Sequence, residues 1–357
     1  MKVSIVIPTY KEKDNIPELF ERIFKVLNNN KIDGEIIVVD DDSQDGTTEI
    51  VNKNKESKPV KLVLRKDERG LASACIEGFK LATGEILLVM DADLQHPPEK
   101  IPDLINAIKE GADIAVGSRY VEGGSLGKWI IGRKIVSKGA STLANILFYE
   151  IKDIKDKESG FFAFKKEVIK EVKLKPKGYK ILLEILILGK YNKAVEIGFY
   201  FGKRSAGKSK LGIGIIFSYI SHLIRLFCVS GKLTKIILFC CVGLIGVFVN
   251  FGVLYFLTSA GLYYMISSII SIEASLLANF FLNRAWTFKE EAKCVSLESA
   301  IIKDHVIRFF GILLYFVCLF TFTAVFHMFM ISLLIGLIIT TLWNFIGNTM
   351  WVWKEDE

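Results

Sequence analysis

The chain has 357 residues, 51% hydrophobic and 24% charged, with a net charge of +7 and a mean hydropathy of +0.37, which excludes a single soluble domain or a disordered chain and requires two kinds of segment. Residues 233–357 hold 7 Lys/Arg and 8 Asp/Glu, so the basic excess lies wholly before them, where it suits anionic ligands or an anionic membrane surface. No zinc-finger spacing or heptad-backed basic region is present, so no nucleic-acid partner is expected, and six cysteines without a CxxC pair read as core or lipid-facing residues.

At the N-terminus, Val3 to Ile7 is too short for a signal peptide and is broken by Pro8, so the first domain is expected to stay in the cytoplasm. Short β-branched runs then alternate with helix-like segments. Strands are predicted at Val3 to Ile7, Glu35 to Val39, Val60 to Leu64, Glu85 to Met90 and Asp113 to Val116. Helices are predicted after Asn15 and Pro17, from Gly70 to Leu81 and from Pro98 to Lys109. This is the pattern of a βαβ array: a Rossmann-like α/β domain with a parallel sheet, covered on both faces, whose ligand site lies beyond the C-terminal strand ends.

Gly123, Gly124 and Gly127 mark a loop, followed by a predicted helix from Arg133 to Phe148 and strands at Gly160 to Phe164 and Val195 to Phe201. Residues 209 to 231 are apolar with sparse charge and read as an interfacial helix or a core helix. Four membrane spans are predicted at about 236–257, 263–282, 309–328 and 331–353, at ~20 residues each, giving an all-α four-helix transmembrane domain over 232–357 after a catalytic domain over 1–208. Loop cations fall on one side of this arrangement, so both termini are expected in the cytoplasm. The run Asn279-Phe280-x-x-Asn283-x-x-Trp286-x-x-Lys289-Glu290 recurs from Asn344 to Glu355, predicting two helical hairpins in the same orientation, with asparagines joining helices. Glu273, alone among the residues of its span in carrying a charge, needs a partner, a proton or a polar path.

The apolar run Leu87 to Met90 leads into Asp91-Ala92-Asp93-Leu94-Gln95, and two carboxylates at a strand end can hold a hard divalent ion with diphosphate oxygens completing its shell. Asp40, Asp41, Asp42 and Asp45 crowd the end of the second strand, where helix capping accounts for one or two of them. With Pro8-Thr9-Tyr10-Lys11-Glu12 after the first strand, three strand ends bring polar groups to one crevice.

The runs PTYKE, VVDDDSQDGT, MDADLQHPP, GSRY and ESGFF together resemble the family 2 glycosyltransferases with a GT-A fold, most closely the dolichol-phosphate mannose synthases, over about residues 1 to 211. The resemblance implies that Pro8, Tyr10, Glu12, Val39, Asp41 and Ala92 surround the nucleotide sugar and that Asp91, Asp93 and Gln95 hold Mg²⁺ or Mn²⁺. It further implies that Arg119, Arg204 and Lys210 meet phosphates, and that Arg133 and Ser137, with Arg119 and Arg204, meet the acceptor phosphate. The sequence departs from the family in Lys11, where Asn is usual, in Ala72, where Gly is usual, and in the extra charge of Asp42. The membrane half resembles GtrA-like domains through NFxxNRxWxF at Asn279 to Phe288.

The implied activity is inverting transfer of mannose from GDP-mannose to dolichyl or polyprenyl phosphate at the lipid bilayer, with Asp91, Asp93 and Arg119 at its centre and homo-oligomerisation left open. Two alternatives stand beside it: UDP-glucose as donor, and translocation of the glycolipid by the membrane domain. Gly202 to Ser209 also satisfies the phosphate-loop expression GxxxxGK[ST], but no later strand could bring an Asp to its metal. A processive polysaccharide synthase is excluded because its QxxRW motif has no counterpart: the only glutamines are Gln44 and Gln95.

Overall fold

The computed structural model describes residues 1–125, 131–175, 180–202, 213–327 and 329–354, with backbone alone at 131–138, 213–216 and 326. It divides into two compact units, Met1–Ser230 and Gly231–Glu357.

The first unit runs β1 (Val3–Thr9), α1 (Ile16–Asn29), β2 (Gly34–Asp40), α2 (Thr47–Lys55), β3 (Val60–Leu64), α3 (Leu71–Leu81), β4 (Ile86–Val89), α4 (Ile101–Lys109), β5 (Ile114–Ser118), α5 (Ile131–Leu147), β6 (Phe162–Lys165), α6 (Ile181–Leu188), β7 (Ala194–Gly198) and α7 (Ile213–Val229). All seven strands join one sheet in the order β3-β2-β1-β4-β6-β5-β7. Side chains alternate between its faces: Val6, Ile37, Leu87 and Val89 share a core with α3, α6 and α7, while Ile5, Ile36, Val38 and Leu88 share one with α1 and α4. Burial on both faces is why these strands read as unbroken apolar runs.

The five strands of the βαβ array run in one direction as expected, and β6, to which the sequence assigned no direction, runs antiparallel to both β4 and β5. Phe162, the first residue of β6, pairs with Val89 and Val116 at the ends of β4 and β5, and a strand that enters the sheet from that end must run against both. Two helices absent from the sequence reading also appear. Helix α2 is polar apart from Ile50 and Val51 and lacks an apolar stripe, whereas α6, Ile-Leu-Leu-Glu-Ile-Leu-Ile-Leu, is apolar at every position but Glu184 and shows no helical period.

Helix α7 packs one face on the core and leaves an apolar face uncovered. Tyr219, His222, Leu223 and Leu226 are buried against the core, while Phe217, Ile220, Ile224 and Val229 are exposed.

The second unit contains α8 (Lys232–Ser259), α9 (Tyr264–Leu282), α10 (Leu297–Phe326) and α11 (Phe329–Gly347). Stretches of 28, 24, 29 and 24 residues are long and apolar enough to cross a membrane. The third helix begins at Leu297, not at 309: Ser296 accepts the Ser299 N–H as its N-cap, and the polar turns carrying Lys303, Asp304 and Arg308 are helical too. His327, with φ +51°, ends it in a left-handed turn before α11.

The repeat is visible in three dimensions. The Ser275 hydroxyl donates to the Gly246 carbonyl at 2.8 Å, and the Thr340 hydroxyl to the Gly311 carbonyl at 3.4 Å, at equivalent positions of the two copies. A Cβ at Gly246 would fall 2.3 Å from the Asn279 side chain, and one at Gly311 would fall 2.6 Å from Asn344, so glycine at both places permits close helix approach. Each hairpin ends in a π-helical turn, Asn283–Thr287 and Asn348–Val352. The Asn348 amide donates to Asp304 at 3.1 Å, which also receives Arg308 Nε at 2.6 Å. Glu273, the charged residue of its span, meets His305 Nε2 on α10 at 3.1 Å, a partner of the kind such a residue needs.

Candidate active site

Strand β1 sits between β2 and β4, and the chain passes to opposite sides of it before and after β3; a crevice opens at such a reversal, beyond the C-terminal strand ends. Thr9 and Asp40 are register partners there, and Asp40 accepts the Thr9 hydroxyl at 2.9 Å and the Ser43 hydroxyl at 2.6 Å. Asp41 accepts Arg65 Nε at 2.8 Å, a second Arg65 nitrogen, and the Gly70 N–H at 2.8 Å. Gly70 has φ +146°, a conformation that an L side chain rarely adopts, and this turn delivers its N–H to Asp41 at the start of α3. Asp45 accepts the Thr47 N–H at 3.0 Å at the start of α2; against a burial that would raise it, the bonds from Thr47 hold its carboxyl below the usual range. Three of the four crowded carboxylates therefore fasten the loops that frame the crevice, and Asp42 stands half-exposed at its rim.

Tyr10 is exposed beside this frame, with the Arg69 guanidinium 5.0 Å from its ring centre. Glu12 accepts the Asn15 amide at 2.7 Å. Pro8 is half-buried, and the side chains of its register partner Val39 and of Ala92 lie in the two cores, so these two residues can offer the crevice only backbone. Lys11, Asp42, Gln44 and Leu94 have φ of +61°, +54°, +51° and +63°. Two of the departures from the family pattern, Lys11 and Asp42, thus occupy left-handed positions, and the Lys11 N–H is held by the Ser43 hydroxyl at 2.8 Å. Backbone strain is concentrated in the loops around the crevice.

At the end of β4, the Asp91 N–H donates to His96 Nδ1 at 3.0 Å. The imidazole stacks on Phe161 with ring centres 5.3 Å apart, and burial lowers its pKa to about 4, so the ring is neutral with Nδ1 as acceptor. Asp93 is buried and accepts the Gln95 N–H at 3.2 Å, while the Gln95 amide donates to the Gly202 carbonyl at 3.0 Å. The antiparallel entry of β6 brings Gly160 against this turn: a Cβ there would lie 3.1 Å from Asp91 Oδ2, so glycine leaves room beside the carboxylate. Among the described residues no three His, Cys, Asp or Glu gather as a metal cage. Two carboxylates and an amide are hard oxygen donors, and they fit a divalent ion that keeps open positions for phosphate and water.

Arg119, beyond β5, is locked by Asp156, a residue absent from the sequence reading. Its Nε and one terminal nitrogen donate to the carboxylate at 2.8 and 2.7 Å, and its own N–H at 3.0 Å. Glu196 in turn accepts the N–H groups of Lys155 and Asp156 at 2.8 and 2.9 Å. Burial opposes the Arg119 charge, but the bonds and charge of Asp156 outweigh it and raise its pKa. Lys180 pairs with Glu158 of the ESGFF run. Nothing in the sequence marked Asp156 as the partner, whereas Arg65, a cation at the end of β3, could have been matched to the acids at the end of β2. Arg133 and Ser137 lie on α5 where the backbone alone is described, and Arg204, Lys210 and the phosphate-loop-like run after Gly202 lie outside the described residues.

Comparison with known proteins agrees with both units. The Glycosyl transferase family 2 model matches residues 4–173, and the GtrA/DPMS transmembrane domain model matches residues 238–353. The chain is 45% identical to a dolichol-phosphate mannosyltransferase of Pyrococcus furiosus over 353 residues, 99% of each chain. It is 35% identical to the enzyme of that name from Saccharomyces cerevisiae over 67% of this chain and 92% of the yeast protein. Among solved structures, glucosyl-3-phosphoglycerate synthase from Mycobacterium tuberculosis, in complex with Mn²⁺, UDP-glucose and phosphoglyceric acid, shares the fold with a TM-score of 0.50 at 19% identity, over 64% of this chain and 80% of that one.

Proposed function

Because this chain belongs to the dolichol-phosphate mannosyltransferases of glycosyl transferase family 2 and is an integral membrane protein with a GtrA/DPMS transmembrane domain, we propose that it transfers mannose from GDP-mannose to dolichyl or polyprenyl phosphate, with inversion at the anomeric carbon. What supports this reading is the reversal of chain direction beside β1, with Asp91 and Asp93 following β4 there, in a chain that also has four helices long and apolar enough to cross a membrane.

Tyr10 and Glu12 face the nucleoside, and Asp41 acts through Arg65 and Gly70, which shape the pocket wall. Asp91, Asp93 and Gln95 would hold Mg²⁺ or Mn²⁺, which supplies Lewis-acid neutralisation of the departing diphosphate. Arg119, oriented by Asp156, meets the phosphate of donor or acceptor, and Arg133, Ser137, Arg204 and Lys210 complete the acceptor region.

A phosphate oxygen of the lipid forms the new bond to C1 as the bond from C1 to the diphosphate oxygen breaks. No general base is needed, since a phosphate monoester has a second pKa of about 6 and is largely dianionic at neutral pH. His96, neutral and buried, positions the Asp91 backbone and moves no proton. The exposed face of α7 lies in the membrane interface, and the cations Lys232, Lys235, Arg284, Lys289, Lys293 and Lys354 put both termini on the cytoplasmic side.

The test is an assay of the full chain with several labelled nucleotide sugars and a short polyprenyl phosphate. GDP-mannose is expected to give chelator-sensitive product, and Asp93→Ala to abolish it while the protein stays folded. Preference for UDP-glucose, or full activity of the variant in chelator, would refute the donor or the metal assignment respectively.

A further inference from the structure

At the opposite end of the sheet from the crevice lies a second cavity of about 1050 Å³, between α3, the start of β4 and the segment after β6. Its floor is apolar, with Ile76, Phe79, Val172 and Leu174, and six lysines line it against two glutamates, Glu85 and Glu167. Three of the lysines are spoken for: Lys165 by Asp113, Lys80 by Glu77, and Lys166 by the Ala82 carbonyl. Lys170, Lys173 and Lys175 make no ion pair among the described residues and are exposed at the rim. Hydrocarbon below and cations above suit an anionic amphiphile; a free phosphate would leave the floor in water.

The rim is also tied to α7. The Lys175 N–H donates to Glu184 Oε1 at 2.7 Å, and the same oxygen accepts both terminal nitrogens of Arg225 on α7 at 3.0 and 3.1 Å. The helix so attached presents Phe217, Ile220, Ile224 and Val229 outward. We propose that this cavity is a binding site for an acidic membrane phospholipid, with the headgroup on Lys170, Lys173 and Lys175 and the chain on the apolar floor, separate from the acceptor site. The step from α7 to the bilayer rests on the interfacial reading given above.

The full chain in nanodiscs is photolabelled with phosphatidylglycerol or phosphatidylcholine bearing a diazirine in one chain, and labelled peptides are mapped. The proposal expects labelling of residues 169–175 by phosphatidylglycerol at least ten times that by phosphatidylcholine. That labelling should fall at least ten-fold in the Lys170→Glu/Lys173→Glu/Lys175→Glu variant. Val172→Trp, which keeps the charges and fills the floor, should also lose it while sugar transfer is retained, and decides the matter if the triple variant fails to fold. Equal labelling by both lipids, undiminished labelling of Val172→Trp, or full protection by glycerol phosphate alone overturns the proposal. Labelling of α7 without the cavity refutes the cavity alone; labelling of the cavity without α7 supports the cavity and removes the interfacial reading.

Discussion

Replacing His96 by Asn isolates one buried group in the acid limb of stability. The Asn side-chain oxygen can still accept the Asp91 N–H in place of Nδ1, but it cannot be protonated. In the wild type the imidazole has a folded pKa of about 4 against an ordinary 6.5. The unfolded chain therefore binds the extra proton first, and stability falls as pH drops from 6.5 toward 4. Between pH 6.5 and 4.5 a shift of this size removes about 2 kcal/mol, or roughly 4–8 °C in the Tm of a unit of this size. His96→Asn also loses ring contacts with Phe161, Phe199 and Phe201. That lowers its stability at pH 7 by about 1–3 kcal/mol but adds no pH dependence. The assay is thermal unfolding of the solubilised full chain, followed through the α/β unit, in steps from pH 7 to 4.5. If wild type and variant lose stability in parallel over that window, His96 is not the neutral acceptor inferred here.

Asp156→Asn leaves Arg119 without its carboxylate and should destabilise the α/β unit by about 3 kcal/mol; a change under about 0.5 kcal/mol in urea unfolding would mean the pair is not formed. Glu35, at the far end of β2, is held at about 2: burial opposes this, but Lys61, the Thr83 N–H and the Ser4 and Thr83 hydroxyls prevail. Its contribution is complete above the ordinary carboxylate value of 4.5 and is lost as pH falls toward 2, so Glu35→Gln should lower stability by about 1–2 kcal/mol at pH 6 and flatten the curve below pH 4.5, as measured by urea titration at each pH. Lys11→Asn places a side chain tolerant of positive φ at +61° and should stabilise the unit by up to about 1 kcal/mol in the same titration.

What could be read from the chain depended on whether the controlling contacts were local. Strands buried on both faces announced themselves as apolar runs, and spans by their length, because each signal comes from consecutive residues. The direction of β6 was hidden because it is set by where the chain re-enters the sheet, long after β5 has ended. The acids at the end of β2 were legible as a group, but their division into loop fasteners and rim depends on Thr9, Ser43 and Arg65, which the sequence scatters. Asp156 is the clearest case: its role exists only through Arg119, far upstream of it in the chain. In the membrane unit, periodicity showed the repeat, while the pairing of Glu273 with His305 joined residues from different copies and had no trace in it.

The two glycine–asparagine hairpins have a further meaning for descent. A unit that enters and leaves on one face can be duplicated, exchanged or deleted without inverting anything downstream of it. The membrane half is therefore additive by whole hairpins, and a forebear with a single copy could have carried the same catalytic head in the same orientation.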